Sequence, residues 1–165
     1  MIIGIPKEIK PQENRVGLTA NSVKSLVDEG HEVIIETNAG NGSGFQDLDY
    51  LEAGGKIIDT AKEIFEHAEM IVKVKEPQSQ EVNLLKKGQN LFTYLHLAAD
   101  KKLTEGLISS GSTCIAYETV TDDNNRLPLL APMSEVAGRI SIQAGARSLE
   151  MTNNGRGVLL SGATG

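Results

Sequence analysis

The feature that most constrains the fold is a repeated alternation of short apolar runs with amphipathic segments. Helix-like segments separate the apolar runs, and this alternation is typical of a parallel sheet with helices packed on it. The sequence therefore predicts an α/β fold with a Rossmann-like parallel sheet. The strand-like apolar runs occupy residues 2–6, 32–36, 70–74, 90–95 and 113–118.

Local signals mark the ends of several predicted helices. Thr19 is suited to cap a helix at residues 20–29, and Gly30 is suited to end it. Thr60 is suited to open another helix. The remaining short helices are predicted at residues 47–53, 60–67, 79–87 and 103–110.

A longer helix is predicted at residues 133–152, with Pro132 at its start. A small sheet domain cannot cover a helix of this length, so we interpret it as a connector that leads away from the sheet. The apolar run at 158–160 is followed by glycines, which indicates a strand at the start of another unit. We therefore divide the chain into residues 1–131, the sheet domain, and residues 132–165.

Composition excludes several classes of function. The formal charge of −6 over 165 residues argues against nucleic acid as a partner, because such proteins need a basic surface. The single cysteine, Cys114, cannot form an intramolecular disulfide and fits a reducing compartment. The N-terminal apolar run is too short for a signal peptide, and no run reaches membrane length. We expect a soluble cytoplasmic protein without a membrane partner.

Two predicted strands end in residues that suit the binding of a small polar substrate. Lys75 follows the run at 70–74, and His96 follows the run at 90–95. In an open parallel sheet, ligands bind in the crevice outside the carboxyl ends of the strands. An ammonium and an imidazole at adjacent strand ends favour a small carboxylate or carbonyl compound as ligand.

Arg15 lies in a polar loop after the first predicted strand, so it is expected at the same sheet edge. A loop arginine is usually solvated. A guanidinium, however, can hold a carboxylate with two parallel hydrogen bonds, which a lysine cannot. Arg15 is therefore a candidate carboxylate anchor.

Other polar motifs favour structural roles. The glycines of residues 40–44 resemble a phosphate-binding turn, but Phe45 takes the place of the third glycine of the fingerprint. A structural turn is favoured there, as are structural roles for His31 and His67. For His96 a buried, hydrogen-bonded structural role stays open as an alternative. No His or Cys pair has metal-ligand spacing, so no metal site is expected.

Ordered motifs along nearly the whole chain resemble the N-terminal portion of the alanine dehydrogenase family. Transhydrogenase subunits share the early motifs, but the Tyr94-Leu95-His96 pattern resembles the dehydrogenases more closely. The matching segments are residues 5–10, 13–16, 42–45, 71–77, 91–100, 116–120, 128–138 and 155–160.

The resemblance implies an enzyme that interconverts L-alanine and pyruvate plus ammonium, with NAD as hydride carrier. It implies that Arg15 and Lys75 hold the substrate, that His96 is the general acid/base, and that Ser134 touches the cofactor. It also implies a homo-oligomer, which in this family is a hexamer, or a complementing chain. Residues 1–131 would be the substrate domain, and residues 132–165 the connector and the start of an NAD-binding domain.

The chain also departs from the family pattern. Family members continue into a complete NAD-binding domain, which these 165 residues do not contain. Ser161, Ala163 and Thr164 stand where the family more often has a Gly-Gly-Val-Pro-Gly-like loop. We therefore expect the chain alone to be inactive. Two alternatives stay open: a non-catalytic ligand-binding or oligomerisation module, and a fragment like the transhydrogenase α subunit.

Overall fold

The computed structural model describes residues 1–162, and its main feature is a six-stranded sheet. Every neighbouring pair of these strands is parallel, which confirms the predicted α/β, Rossmann-like architecture. The strands are β1 (Ile2–Ile5), β2 (Glu32–Glu36), β3 (Lys56–Ile58), β4 (Met70–Val72), β5 (Asn90–Thr93) and β6 (Thr113–Ala116), in the spatial order β3-β2-β1-β4-β5-β6.

The strand order reverses at β1. From β1 the chain moves outward to β2 and β3, then returns to the other side of β1 to form β4, β5 and β6. Ile3 shows this central position, since it pairs with Val33 on one side and Met70 on the other. Loops that leave a sheet at such a reversal diverge and open a crevice at the carboxyl ends of the strands.

Six α-helices accompany the strands, and side-chain caps define several of their starts. The hydroxyls of Thr19 and Thr60 accept hydrogen bonds from the amides of Ser22 and Glu63, as predicted for N-caps. The helices are α1 (Ala20–Asp28), α2 (Asp47–Glu52), α3 (Ala61–His67), α4 (Ser79–Val82), α5 (Lys101–Ser110) and α6 (Ala131–Leu149).

The four middle strands of the sheet, β2, β1, β4 and β5, are largely buried, and apolar clusters cover both faces. Along β2, Val33 and Ile35 belong to one hydrophobic cluster and Ile34 to another, because successive side chains of a strand point to opposite faces. Val23 of α1 and Tyr50 of α2 pack in the first cluster. The second cluster contains side chains of α3, α5, β4 and β5, namely Ile64, Phe65, Leu103, Leu107, Ile71 and Leu91.

Some predicted boundaries were wrong. The strands predicted at 70–74, 90–95 and 113–118 end at Val72, Thr93 and Ala116, and the helix predicted at 79–87 ends at Val82. The short strand β3 was not predicted, because three residues are too few to show a periodic pattern.

The chain forms two compact units, Met1–Glu118 and a second that begins at Thr119. The domain boundary predicted between residues 131 and 132 stays a prediction. In the second unit, α6 confirms the long helix, with Pro132 in its first turn. None of the residues of α6 is buried.

The strand predicted at residues 158–160 was wrong, since Val158, Leu159 and Leu160 are exposed and have no strand conformation. Strands form only where a neighbour supplies hydrogen bonds. Of the residues that depart from the family loop pattern, Ala163 and Thr164 lie outside the described residues. Within residues 1–162, no helix combines the length and apolar character needed to span a membrane.

Candidate functional site

Arg15, Lys75 and His96 all lie in loops that leave the sheet at the carboxyl ends of its strands. Arg15 follows β1, Lys75 follows β4, and His96 follows β5. These three strands are neighbours in the sheet, in the order β1-β4-β5, and they run parallel. The topology therefore brings the three loops to one edge, at the reversal of strand order where ligands bind in open α/β sheets.

The main chain around Lys75 is held from several sides. The Val74 carbonyl accepts hydrogen bonds from the Tyr94 amide at 3.3 Å and the Tyr117 hydroxyl at 2.9 Å. The Lys75 carbonyl accepts one from the hydroxyl of fully buried Thr93 at 2.8 Å. The Lys75 amide donates to Glu8 Oε1 at 3.3 Å. Lys75 therefore stands on a fixed stretch of backbone, although it lies beyond the end of the strand.

Glu8 belongs to a buried network of charges beneath this turn. Its Oε1 accepts the Val74 amide at 2.6 Å, and its Oε2 lies 3.1 Å from Lys73 Nζ. Lys73 Nζ also lies 2.7 Å from Glu81 Oε1. Burial raises the pKa of Glu8, and Lys73 opposes that rise. One cation thus bridges two buried carboxylates.

Arg15 is paired with a carboxylate of its own loop. Its Nε lies 2.8 Å from Glu13 Oε1, and its Nη2 lies 2.6 Å from Glu13 Oε2. The hydrogen bonds from Arg15 lower the pKa of Glu13 to about 2, and the nearby charge of Lys75 contributes to the shift. Arg15 is therefore oriented by Glu13 and lies within electrostatic reach of Lys75.

His96 adopts the left-handed conformation, with φ of 51°. The amides of Leu95 and His96 both donate to Glu118 Oε1, at 3.0 and 3.2 Å, so one carboxylate oxygen holds this turn. The His96 side chain is 52% exposed. The alternative of a buried structural histidine was therefore wrong, and the imidazole is accessible to a ligand.

Two neighbours set the position of the His96 ring. Its Nδ1 lies 3.4 Å from Glu76 Oε2, and the other oxygen of Glu76 pairs with Lys10. The ring stacks on Tyr94 with centroids 5.8 Å apart. Tyr94 also interacts electrostatically with Arg15, whose charge opposes the rise that burial causes in the pKa of Tyr94. Tyr94 and Glu13 thereby connect the surroundings of Arg15, Lys75 and His96.

A small cavity lies beside Arg15. Its volume is about 160 Å³, and Glu8, Glu13 and Arg15 line it together with residues of the 38–42 loop. A larger cavity of about 460 Å³ lies between α4 and α5 and shares only Glu76 with the residues described above. Among the described residues, neither cavity is lined by Lys75 or His96. The candidate site therefore rests on the strand ends and their contacts.

The glycine loop packs against the loop that carries Arg15. A Cβ at Gly42 would lie 2.6 Å from the Asn14 carbonyl oxygen, and the Ser43 hydroxyl donates to the same oxygen at 3.1 Å. The backbone at Gly42 thus packs closely against the main chain of Asn14. The helix that follows, α2, is short and begins with Asp47 and Asp49, which repel an anion. This packing is the structural role predicted for the loop.

Ser134 lies in the second unit, on α6. It is exposed, and its hydroxyl donates to the Leu130 carbonyl at 3.5 Å. Among residues 1–162, no three His, Cys, Asp or Glu side chains form a group that suits a metal ion.

Sequence reasoning missed the acidic partners of the site. Each of the three predicted residues has a carboxylate beside its side chain or main chain, and these carboxylates come from three parts of the chain, which follow β1, β4 and β6. In the sequence, the only feature that could have indicated these carboxylates is their position close to the ends of predicted strands. The partners are Glu8, Glu13, Glu76 and Glu118.

Comparisons with known proteins identify the family. Residues 4–137 match the family model "Alanine dehydrogenase/PNT, N-terminal domain". The alanine dehydrogenases of Halomonas elongata and Methanococcus maripaludis are 54% and 55% identical over 165 residues, which cover 100% of this chain and 44% of each relative. The chain thus spans less than half the length of these curated relatives.

Solved structures give the same result. A structure titled "L-alanine dehydrogenase" has a TM-score of 0.88 and 58% identity, covering 99% of this chain and 45% of that one. A transhydrogenase from Sinorhizobium meliloti has a TM-score of 0.70 and 28% identity, covering 75% of this chain and 35% of that one. The chain therefore belongs to the alanine dehydrogenase/PNT family, an oxidoreductase family, and corresponds to the N-terminal portion of its alanine dehydrogenases.

Proposed function

We propose that the protein is the substrate-binding portion of an NAD-dependent alanine dehydrogenase, which converts L-alanine, NAD and water to pyruvate, ammonium and NADH. The observation that carries the proposal is the meeting of the Arg15, Lys75 and His96 loops at the carboxyl ends of three neighbouring parallel strands. The higher identity to the dehydrogenase structure, 58% against 28%, favours this function over that of a transhydrogenase.

Arg15 is proposed to bind the substrate carboxylate. Glu13 already pairs with the guanidinium and fixes its plane, which suits a bidentate contact with a second carboxylate. The charge of Lys75 also acts on Glu13, so a second cation lies near this ion pair. Two cations close to each other favour the binding of a carboxylate such as that of alanine or pyruvate.

Lys75 is proposed to donate a hydrogen bond to the carbonyl oxygen of pyruvate. This polarises the carbonyl carbon for attack by ammonia and stabilises the negative charge that develops on the oxygen. The effect depends on a donor held in place before the reaction. The hydrogen bonds to the amide and carbonyl of Lys75 meet this requirement at the main chain.

His96 is proposed to transfer protons as the carbinolamine forms and collapses. Imidazole suits this role, because its unperturbed pKa lies near neutrality. Glu76 Oε2 lies 3.4 Å from Nδ1, so Nε2 is the ring nitrogen proposed to exchange protons with the substrate. The exposure of the ring gives the substrate access to it.

NAD is proposed as the hydride acceptor of the whole enzyme, with Ser134 as a contact. The glycine loop is not proposed to hold the pyrophosphate of NAD, because Phe45 takes the place of the third glycine of the fingerprint. We expect the purified 165-residue polypeptide to produce no NADH from L-alanine. Hydride transfer needs the nicotinamide held beside the substrate, and such positioning lowers the barrier by roughly 7–11 kcal/mol.

A pyruvate titration followed by NMR tests the substrate site on this chain. Pyruvate is expected to shift the amide signals of Lys75 and His96, and Arg15→Lys and Lys75→Met are each expected to weaken binding at least tenfold. Lys56→Met serves as the control, since Lys56 pairs with Glu32 on the surface of β3. Equal affinity in all four proteins would contradict the proposal.

A further inference from the structure

We infer that Glu8 is a positioning residue for Lys75, whose main chain it fixes through a carboxylate that is itself held by Lys73. The inference deepens the proposed function and rests on it for the role of Lys75 in substrate binding. The fixing of the backbone is a separate claim about the chain itself.

Glu8 accepts hydrogen bonds from two consecutive amides at the turn. Oε1 lies 2.6 Å from the amide nitrogen of Val74 and 3.3 Å from that of Lys75. These amides lie beyond the end of β4, so regular strand pairing no longer holds them. A carboxylate is a stronger acceptor than a neutral oxygen, and it sets the direction in which the Lys75 side chain leaves the backbone.

Lys73 keeps this carboxylate in place. The Lys73 side chain is 0% exposed and the Glu8 side chain 2%, with 3.1 Å between Nζ and Oε2. A buried carboxylate without a cation takes up a proton and becomes a weaker acceptor. Lys73 opposes this, so Glu8 stays available to the two amides.

Glu81 anchors the other end of the turn. Its side chain is 3% exposed, its Oε1 lies 2.7 Å from Lys73 Nζ, and its Oε2 accepts the Gln78 amide at 2.8 Å in the capping box of α4. Lys73 is thus joined to the loop after β1 through Glu8 and to α4 through Glu81. The turn with Lys75 lies between these two attachments.

The chemistry of the network also points to a positioning role. Two carboxylates and one ammonium leave a net negative charge in a buried place, which is costly to desolvate. Apolar side chains of similar volume often give equal or higher stability at such sites. They cannot, however, accept hydrogen bonds from the amides of Val74 and Lys75, and this is the contribution that only Glu8 makes.

Amide hydrogen exchange, measured by NMR on the 165-residue chain, tests the inference. In Glu8→Gln we expect exchange at Lys75 and Val74 to be at least tenfold faster, while the core amides of Ile71 and Leu91 keep their rates. Glu69→Gln is the matched control, because Glu69 Oε2 accepts the Ile2 amide at 2.6 Å at the opposite end of the sheet. The control is expected to leave the Lys75 rate unchanged.

A second variant covers the case in which Glu8→Gln does not fold. Replacing all three members of the network, Glu8→Met with Lys73→Met and Glu81→Gln, removes the three charges together and leaves no buried charge without its partner. We expect this triple variant to fold with fast exchange at Lys75. An unchanged Lys75 rate in the folded triple variant would overturn the inference.

Pyruvate affinity separates this inference from the proposed function. The folded triple variant is expected to bind pyruvate at least tenfold more weakly than the unsubstituted chain, and equal affinity would count against the role of Glu8 in substrate binding. If the unsubstituted chain does not bind pyruvate at all, the proposed function loses its support. The exchange rates at Lys75 still decide whether Glu8 fixes the backbone.

Discussion

Glu13 and Arg15, two residues apart in one loop, form a bidentate ion pair with distances of 2.8 and 2.6 Å. The Arg15 amide donates to Glu13 Oε1 as well, at 2.9 Å. The carboxylate thus contacts both the main chain and the side chain of Arg15. The loop therefore presents an oriented guanidinium before any ligand binds.

The Glu13–Arg15 pair predicts a loss of stability in acid. The pKa of the Glu13 carboxyl falls from its ordinary value of 4.5 to about 2 in the folded chain. Between these two pH values the unfolded chain therefore binds more protons than the folded chain. The stabilisation is complete above about pH 4.5 and is lost as the pH falls toward 2. We expect the pair to contribute roughly 1–2 kcal/mol to the free energy of unfolding, a value that is reduced because Arg15 is partly exposed.

Urea unfolding at several pH values checks this. Between pH 5 and pH 2, the free energy of unfolding should fall less steeply in Glu13→Gln than in the unsubstituted chain. Glu63→Gln serves as the control. Parallel curves for the Glu13 variant and the unsubstituted chain would contradict the prediction.

Gly42→Ala is expected to destabilise the chain by about 1–3 kcal/mol, because the added Cβ meets the Asn14 carbonyl oxygen at 2.6 Å and the backbone must shift. The same shift should move Arg15 and weaken pyruvate binding. Thermal unfolding and titration measure the two effects. Gly138→Ala, which has no neighbour within 4 Å, should be neutral or stabilising. Unchanged stability in Gly42→Ala would show that the loop yields without cost.

Thr93→Val is expected to cost about 1 kcal/mol and to weaken pyruvate binding, since it removes the hydrogen bond to the Lys75 carbonyl while retaining the volume of a fully buried side chain. Thr113→Val, on exposed β6, is the matched control and should have little effect. Pyruvate affinity measured in both variants separates them. Equal affinity would mean that the Lys75 carbonyl needs no such donor.

The raised pKa of Tyr50 predicts that the chain loses stability at high pH. Burial raises its pKa to about 12, and its hydroxyl donates to the Leu18 carbonyl at 3.0 Å. Above pH 10 the unfolded chain therefore loses the phenolic proton first, so stability falls as the pH rises from 10 toward 12. In Tyr50→Phe this part of the pH dependence should be absent in urea unfolding. An unchanged slope between pH 10 and 12 would contradict the assignment to Tyr50.

The α6 helix predicts self-association of the chain. Val136, Ile140 and Ile142 are exposed on it, and exposed apolar side chains in such a group favour association. Light scattering is expected to show oligomers, and Ile140→Glu should shift them toward monomer. Ile108→Glu, an exposed position on α5, is the control. A monomeric unsubstituted chain would show the prediction to be wrong.

The sequence predicted those parts of the fold that depend on local pattern. The strand at residues 32–36 was predicted with its observed ends, because β2 is an apolar run between a glycine turn and a polar loop. Thr19 and Thr60 were recognised as caps from residue type alone. The β3 strand was missed, since its conformation comes from pairing with β2.

For the site, the sequence predicted which strand ends carry functional groups. Parallel topology was enough to place Arg15, Lys75 and His96 at one edge. The roles of Glu8 and Glu13 depend on how loops fold back on the sheet, and no periodic pattern encodes that. The left-handed backbone of His96 was also missed, because histidine adopts a positive φ more often than most residues but still only rarely.

That backbone conformation of His96 has a consequence for laboratory evolution. A side chain other than glycine at φ of 51° costs roughly 1–2 kcal/mol, and asparagine or glycine relieves much of it. His96→Gly or His96→Asn should therefore raise the melting temperature while removing the proposed proton carrier. A screen that scores heat resistance alone would enrich such variants, so a library built on this chain needs a second selection for ligand binding.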